Sequence, residues 1–451
     1  SDVVLGVAAS ADDVCDIISY TPFEVADQTF TGTTTLDGAV VINESSADVD
    51  FRVESNGNAN MLFVDGGNDN VGIGVVPTNI SGYTSLDIGA GSVGSFIEMD
   101  STSGMYHRFV NNNGQLLIQA DVGNAGSNSG VIFSVDGTEH LQIASDGSLS
   151  TPTLGTSNFK AGVNAGNSIL SGGNYNVVVG DDAGTALTTG DQNVAIGFEA
   201  SKNQTTSARN TVVGNQAAYG NLTGAENVYI GYGSGPNGVV NATADSSVAV
   251  GAFSLTALTT GDNNTAIGYK AGLAVTIGTK NTLIGGLAGD ALTEGGFNAV
   301  LGAEALTLDT KGTGSIAIGR AALETQNFTS ATTTENVAVG NQAGLSNLTG
   351  TAATFIGHYS GRFATTADAT TFVGANAGRG ITGTKLTGNN NTAIGTSAGL
   401  VLQGDASGNT LVGSSAGVAL TTGTNNVLIG YSAGSSSSVD LTTGSNNIVI
   451  G

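Results

Sequence analysis

The chain has 451 residues, 70 of them Gly and none Trp, with 36 acidic against 12 basic side chains and a formal charge of -24. That balance repels phosphate backbones, which excludes nucleic acid as a direct partner, and no apolar run approaches the ~20 residues needed for membrane insertion. A single cysteine, Cys15, excludes an internal disulfide framework and a multi-thiolate metal site, and Gly without a three-residue period excludes collagen.

Residues 1–150 hold 20 acidic and 2 basic side chains, so this third of the chain carries -18 of the charge. Residues 1–30 read as an irregular acidic segment that joins the rest to upstream structure. A start at Ser1 without a signal-peptide pattern reads as a processed or truncated product. Residues 31–165 read as a meander of small β modules. Leu62-Phe-Val-Asp-Gly66 is echoed by Phe133-Ser-Val-Asp-Gly137 and Leu141-Gln-Ile-Ala-Ser-Asp-Gly147, and alternating apolar positions closed by Asp-Gly predict hairpins.

Over 166–451 a five-residue core keeps returning, as in Asn193–Gly197 (NVAIG), Asn264–Gly268 (NTAIG) and Asn426–Gly430 (NVLIG). Its closing glycines are Gly180, Gly197, Gly214, Gly231, Gly251, Gly268, Gly285, Gly302, Gly319, Gly340, Gly357, Gly374, Gly395, Gly413, Gly430 and Gly451. Ten of the fifteen intervals are 17 residues and the others 18 to 21, so one supersecondary unit is stacked about sixteen times. The three residues before each glycine are apolar or β-branched. Because strand side chains alternate between faces, both faces of this strand need cover: one by the interior of the turn, the other by a second surface. We expect self-association to supply it.

Three residues after the glycine every complete copy has Ala or Ser, from Ala183 to Ala433, which marks a tight inner corner or a packed axis. Asn opens 12 of the 16 cores, either as a stacked amide ladder or as a turn cap. Gly-Asp and Gly-Asn clusters such as Gly190-Asp191 close each turn.

The units NVAIGFEAS, NTAIGYKAG and NTAIGTSAG resemble the head repeats of trimeric autotransporter adhesins, which also occur in phage tail fibres. The segment Gly38–Gly74 is similar to the linking modules of tailed-phage fibres. The resemblance implies a left-handed parallel β-solenoid or β-roll wound as a homotrimer, preceded by small hairpin modules. It further implies a virion location in a tail fibre, other tail components as partners on the amino-terminal side, and a host receptor or glycan as the contacted ligand. A bacterial trimeric adhesin or extracellular filament is the alternative. On either reading the chain is not an enzyme and takes no cofactor.

Some motifs imitate catalytic ones. Gly430-Tyr-Ser-Ala-Gly434 has the GxSxG form, but the form recurs at Gly395–Gly399 and Gly413–Gly417 with no partnering His, which predicts a repeat corner rather than a nucleophile elbow. Gly89–Gly94 has the GxGxxG form ahead of a strand-like segment, whereas a dinucleotide fingerprint opens a helix. Asp65–Asn70 offers oxygen ligands for a cation or, more simply, a β-turn. Aromatics beside the core glycines, chiefly Tyr232, Tyr269, Tyr359 and Tyr431, are candidates for receptor contact or plain corner filling. The extra residues of the long intervals fall at Pro236–Ser246, Glu324–Glu335, Arg379–Asn390 and Ser435–Asn446, as receptor loops or tolerated insertions.

Overall fold

The structure is a computed structural model that describes residues 51–451 except 56–57, 66–69, 74, 77–85, 89–94, 101–105, 113–114, 120–130, 136–137, 144–148, 152, 239–240 and 436–440. All regular structure among the described residues is β. The chain divides into two compact units, 1–123 and 124–451.

In the first unit Phe51–Ser55, Asn58–Asp65 and Asn70–Ile73 form an antiparallel meander, with Leu86–Ile88 added in parallel beside Asn70–Ile73. Ser95–Asp100, Tyr106–Asn112 and Gln115–Gln119 make a second antiparallel meander. In the second unit Val131–Val135, Thr138–Ile143 and Leu149–Ser150 make a third. The hairpins expected around Phe63 and Phe133 are present. The parallel partner Leu86–Ile88 was not anticipated, because three residues centred on Asp87 carry no periodic signal. Cys15, the segment 1–30, Gly89–Gly94 and the middle of Asp65–Asn70 lie outside the described residues.

From Phe159 onwards seventeen three-residue strands pair in parallel, each with the next turn, in one unbroken sheet ending at Ile448–Ile450. Equivalent residues face each other throughout, for example Val194 with Thr211 and Ile196 with Val213. At about 4.8 Å per step the ladder is about 75 Å long. It starts one turn before the periodicity suggested, with Phe159–Ala161 beside Val177–Val179 and a core glycine at Gly162 (φ 128°). Asn158-Phe-Lys-Ala-Gly162 hides the pattern because Lys160 stands where the other cores are apolar.

Four positions per turn face the interior. They are the middle strand residue, the small residue three after the glycine, the next residue along, and a residue seven after the glycine, as in Val178, Ala183, Gly184 and Leu187. In several turns a large residue at one position goes with a small one at another. Where the strand brings Tyr229, Phe355 or Phe372, all fully buried, the position six residues later is Gly235, Gly361 or Gly378, and a Cβ there would land on the aromatic ring. Where the strand brings Ala249 or Ala317, that position is Leu255 or Leu323. Elsewhere neighbouring turns fill the space: at Gly272, in the turn of Ala266, a Cβ would meet Leu283 and Leu255 of the turns on either side.

At the core glycine backbone meets backbone, as it does at a second column that includes Gly261, Gly278 and Gly295. Gly285 has φ +137°, and a Cβ built on it would lie 2.5 Å from the Gly302 carbonyl oxygen of the next turn. The neighbouring small residue therefore serves the interior: the Ala288 N–H closes the corner on the Gly285 carbonyl at 3.3 Å, and its methyl is fully buried.

The asparagines do both jobs that the sequence left open. Asn281 Nδ2 donates to Asn264 Oδ1 at 3.1 Å and to the Gly295 carbonyl at 2.9 Å, while the Asn281 backbone N–H donates to the same Oδ1 at 3.0 Å. The amide column satisfies buried main-chain groups that no strand reaches. It is interrupted where Ser247, Ser315, Ala353 and Thr370 replace Asn. A second column uses threonine: Thr259, Thr276 and Thr293 each donate Oγ1 to a carbonyl of the next turn at 3.0 Å.

Candidate functional site

Two surfaces of the solenoid carry unused chemistry. The first is the outward face of the ladder, made by the two residues flanking each inward strand residue. It is lined by Ile, Val, Leu, Thr and Ala methyls with no charged residue from Val177 to Ile450. Ile196, Ile230, Ile267, Ile356, Ile394 and Ile429 are 37 to 41% exposed, and Leu301 49%. A strip of about 75 Å by about 10 Å, three residues wide, presents on the order of 750 Å². The largest apolar patch on an ordinary monomer covers about 300–600 Å².

The second surface is the corner after the glycines, where the tyrosines fall. Tyr232 is 49% exposed and packs edge-on against Phe253 at 5.0 Å. Tyr269 lies two turns further along the ladder, with the Lys270 ammonium 5.2 Å from its ring. Tyr359 is five turns beyond Tyr269, and Tyr431 four beyond that at 79% exposure. The four rings thus form no continuous aromatic track. Only Tyr232 and Tyr269 are near neighbours.

Charge on the outer surface of the solenoid is mostly paired between turns. Lys202 reaches Glu199 at 2.6 Å and Asp182 at 3.2 Å. The Lys202 hydrogen bond to Glu199 holds that carboxyl below its ordinary range, and hydrogen bonds from Asn164 and then Lys202 do the same for Asp182. Arg209 pairs with Glu226, Lys311 with Glu294 and Arg320 with Glu304.

One group escapes this pattern, and of its residues the sequence singled out Tyr359 alone. The His358 ring stacks on Tyr359 at 3.6 Å, and the Arg362 guanidinium sits 4.5 Å from Tyr359 and 5.0 Å from Phe363. Arg379 occupies the same repeat position one turn on, and the Nε atoms of both arginines are buried without an acceptor. The signal was available: two arginines one 17-residue period apart, in a stretch with almost no acid.

Two other polar groups are shifted by burial, Tyr229 in the interior and Asp290 half-buried at a corner. Burial pushes the Tyr229 phenol well above its ordinary pKa, and its hydroxyl has no partner. Desolvation likewise raises the Asp290 carboxyl. The three GxSxG segments are corners of successive turns, with Ser397, Ser415 and Ser432 in the left-handed conformation (φ 57°, 58° and 52°) and no helix following. Among the described residues no three His, Cys, Asp or Glu gather as a metal site, and no helix is long and apolar enough to cross a membrane.

No protein-family model, no curated protein and no solved structure matches this chain. The class that the fold defines is a β-solenoid repeat protein.

Proposed function

We propose that the chain is a structural and adhesive fibre protein, a homotrimeric rod that presents or forms a surface for contact with a host cell. The observation that carries this reading is the uncharged apolar strip along the full ladder. Its area, on the order of 750 Å², is close to the ~800 Å² that each partner buries in a standard stable interface. Left in water, such a strip is an aggregation hazard at every turn. Other copies of the same chain are the partner of matching length and period, because a 17-residue repeat stacks in register only on another of the same rise.

Threefold assembly and a left-handed winding follow the resemblance of NVAIGFEAS and its sister units to adhesin and tail-fibre head repeats. Placement in a virion tail fibre, joined to other tail components through its amino-terminal side, follows the resemblance of Gly38–Gly74 to fibre linking modules. A bacterial trimeric adhesin remains the second reading, favoured by the same repeat units. Negative-stain electron microscopy of the purified chain tests the proposal. Uniform rods with threefold end views are expected, and single thin filaments with one chain per particle would overturn it.

A further inference from the structure

We infer that His358, Tyr359, Arg362 and Arg379 form a binding site for a carboxylate-bearing sugar on the outer corner of the solenoid. The inference rests on the adhesive reading above and gives its ligand a chemical class.

The electrostatic setting is unusual for this molecule. The chain carries -24 overall, yet residues 336–404 contain one acid, Asp368, against Arg362, Arg379 and Lys385. That one carboxylate is engaged with the Thr351 N–H and hydroxyl at 2.8 and 3.0 Å. The two other arginines of the ladder region, Arg209 and Arg320, each reach a glutamate. Arg362 and Arg379 make no ion pair and no side-chain hydrogen bond among the described residues, and each has a buried Nε without an acceptor. Partly desolvated cations left unpaired cost stability, so an anion supplied from outside would find uncompensated charge already in place.

Geometry narrows the anion. The two arginines stand on adjacent turns, so their guanidinium groups originate about 4.8 Å apart along the ladder. That spacing lets them share one carboxylate, whose two oxygens match the planar guanidinium fork. Tyr359 holds Arg362 on its ring and His358 stacks against it, which fixes both before a ligand arrives. His358 is exposed and offers a flat face to a sugar ring. A cation pair and a ring face are the groups that an acidic sugar engages. A phosphate polymer would bring many more charges towards a strongly acidic chain.

The test is calorimetric titration of the full chain with oligosaccharides bearing glucuronate, galacturonate or sialic acid, each alongside its carboxyl-reduced form. Saturable binding of at least one acidic sugar is expected, weakened about ten- to a hundredfold by carboxyl reduction. Arg362→Ala and Arg379→Ala should each lose about the same factor, while Arg320→Ala, which breaks a pair with Glu304, should bind as the unaltered chain does. The reduced sugars test the site without any substitution, so a misfolded variant does not spare the proposal. Absence of saturable binding to all three acidic sugars, equal affinity for the reduced forms, or tighter binding of oligothymidylate or phosphatidylserine vesicles would overturn it. Particle mass on the same sample judges the fibre reading separately, so the two can fail independently.

Discussion

The sharpest local test is Gly285→Ala set against Gly286→Ala, two adjacent residues with opposite expectations. Gly285 has φ +137°, and its added Cβ would sit 2.5 Å from the Gly302 oxygen, 2.6 Å from the Gly302 carbonyl carbon and 3.0 Å from the Ala303 nitrogen. Holding an L-residue in that backbone region costs about 1–3 kcal/mol. Pushing the next turn's backbone aside costs about 1–3 kcal/mol more, since no side chain can rotate away. The sum, about 2–6 kcal/mol, falls on two neighbouring turns because solenoid stability is a sum over units and their interfaces. At Gly286 a Cβ meets nothing within 4 Å and φ is not positive, and equivalent corners carry Ala252, Ala303 and Ala375. There the substitution should stabilise by about 0.4–1 kcal/mol through the unfolded chain. Urea unfolding followed by circular dichroism reads both. Equal midpoints for the two variants would refute the claim that the glycine column sets the stacking distance.

Other predictions follow the same columns. Ala353→Asn fills a gap in the amide ladder between Asn336 and Thr370, and should raise the urea midpoint by the equivalent of about 0.5–1.5 kcal/mol. Phe372→Ala empties a fully buried ring site and should cost about 3–5 kcal/mol, read by the same unfolding assay. The Glu199 and Asp182 carboxyls are held below their ordinary values of 4.5 and 3.8, so their contribution is complete above those values and fades as pH falls below them. Lys202→Met should therefore flatten the acid side of a melting-temperature profile and leave the neutral side little changed. A profile unaltered by the substitution would show that these contacts do not couple to folding.

Much of the solenoid was legible because its constraints repeat. The inward middle residue, the core glycine and the small residue beyond it each face the same neighbour in every turn, so each recurs as one residue class. The extra turn at Phe159–Ala161 escaped because Lys160 breaks that class at a terminal unit, where one neighbouring turn is lacking. The fit between Phe372 and Gly378 was hidden for a related reason: it couples two positions, and neither is constant alone. The corner tyrosines drew notice as single residues, but ring stacking depends on which turns lie adjacent. His358, Arg362 and Arg379 become a group only when two positions one period apart are superposed and their lack of acidic partners is seen.

The central claim is that the apolar outer face of the ladder is covered by copies of the same chain. Native mass measurement of the purified protein at neutral pH tests it most directly. The account predicts about 133 kDa, three times the 44.4 kDa chain, falling towards one chain when Ile267→Asp and Ile356→Asp place charge on the strip. A stable, soluble species at the mass of one chain in the unaltered protein would contradict it.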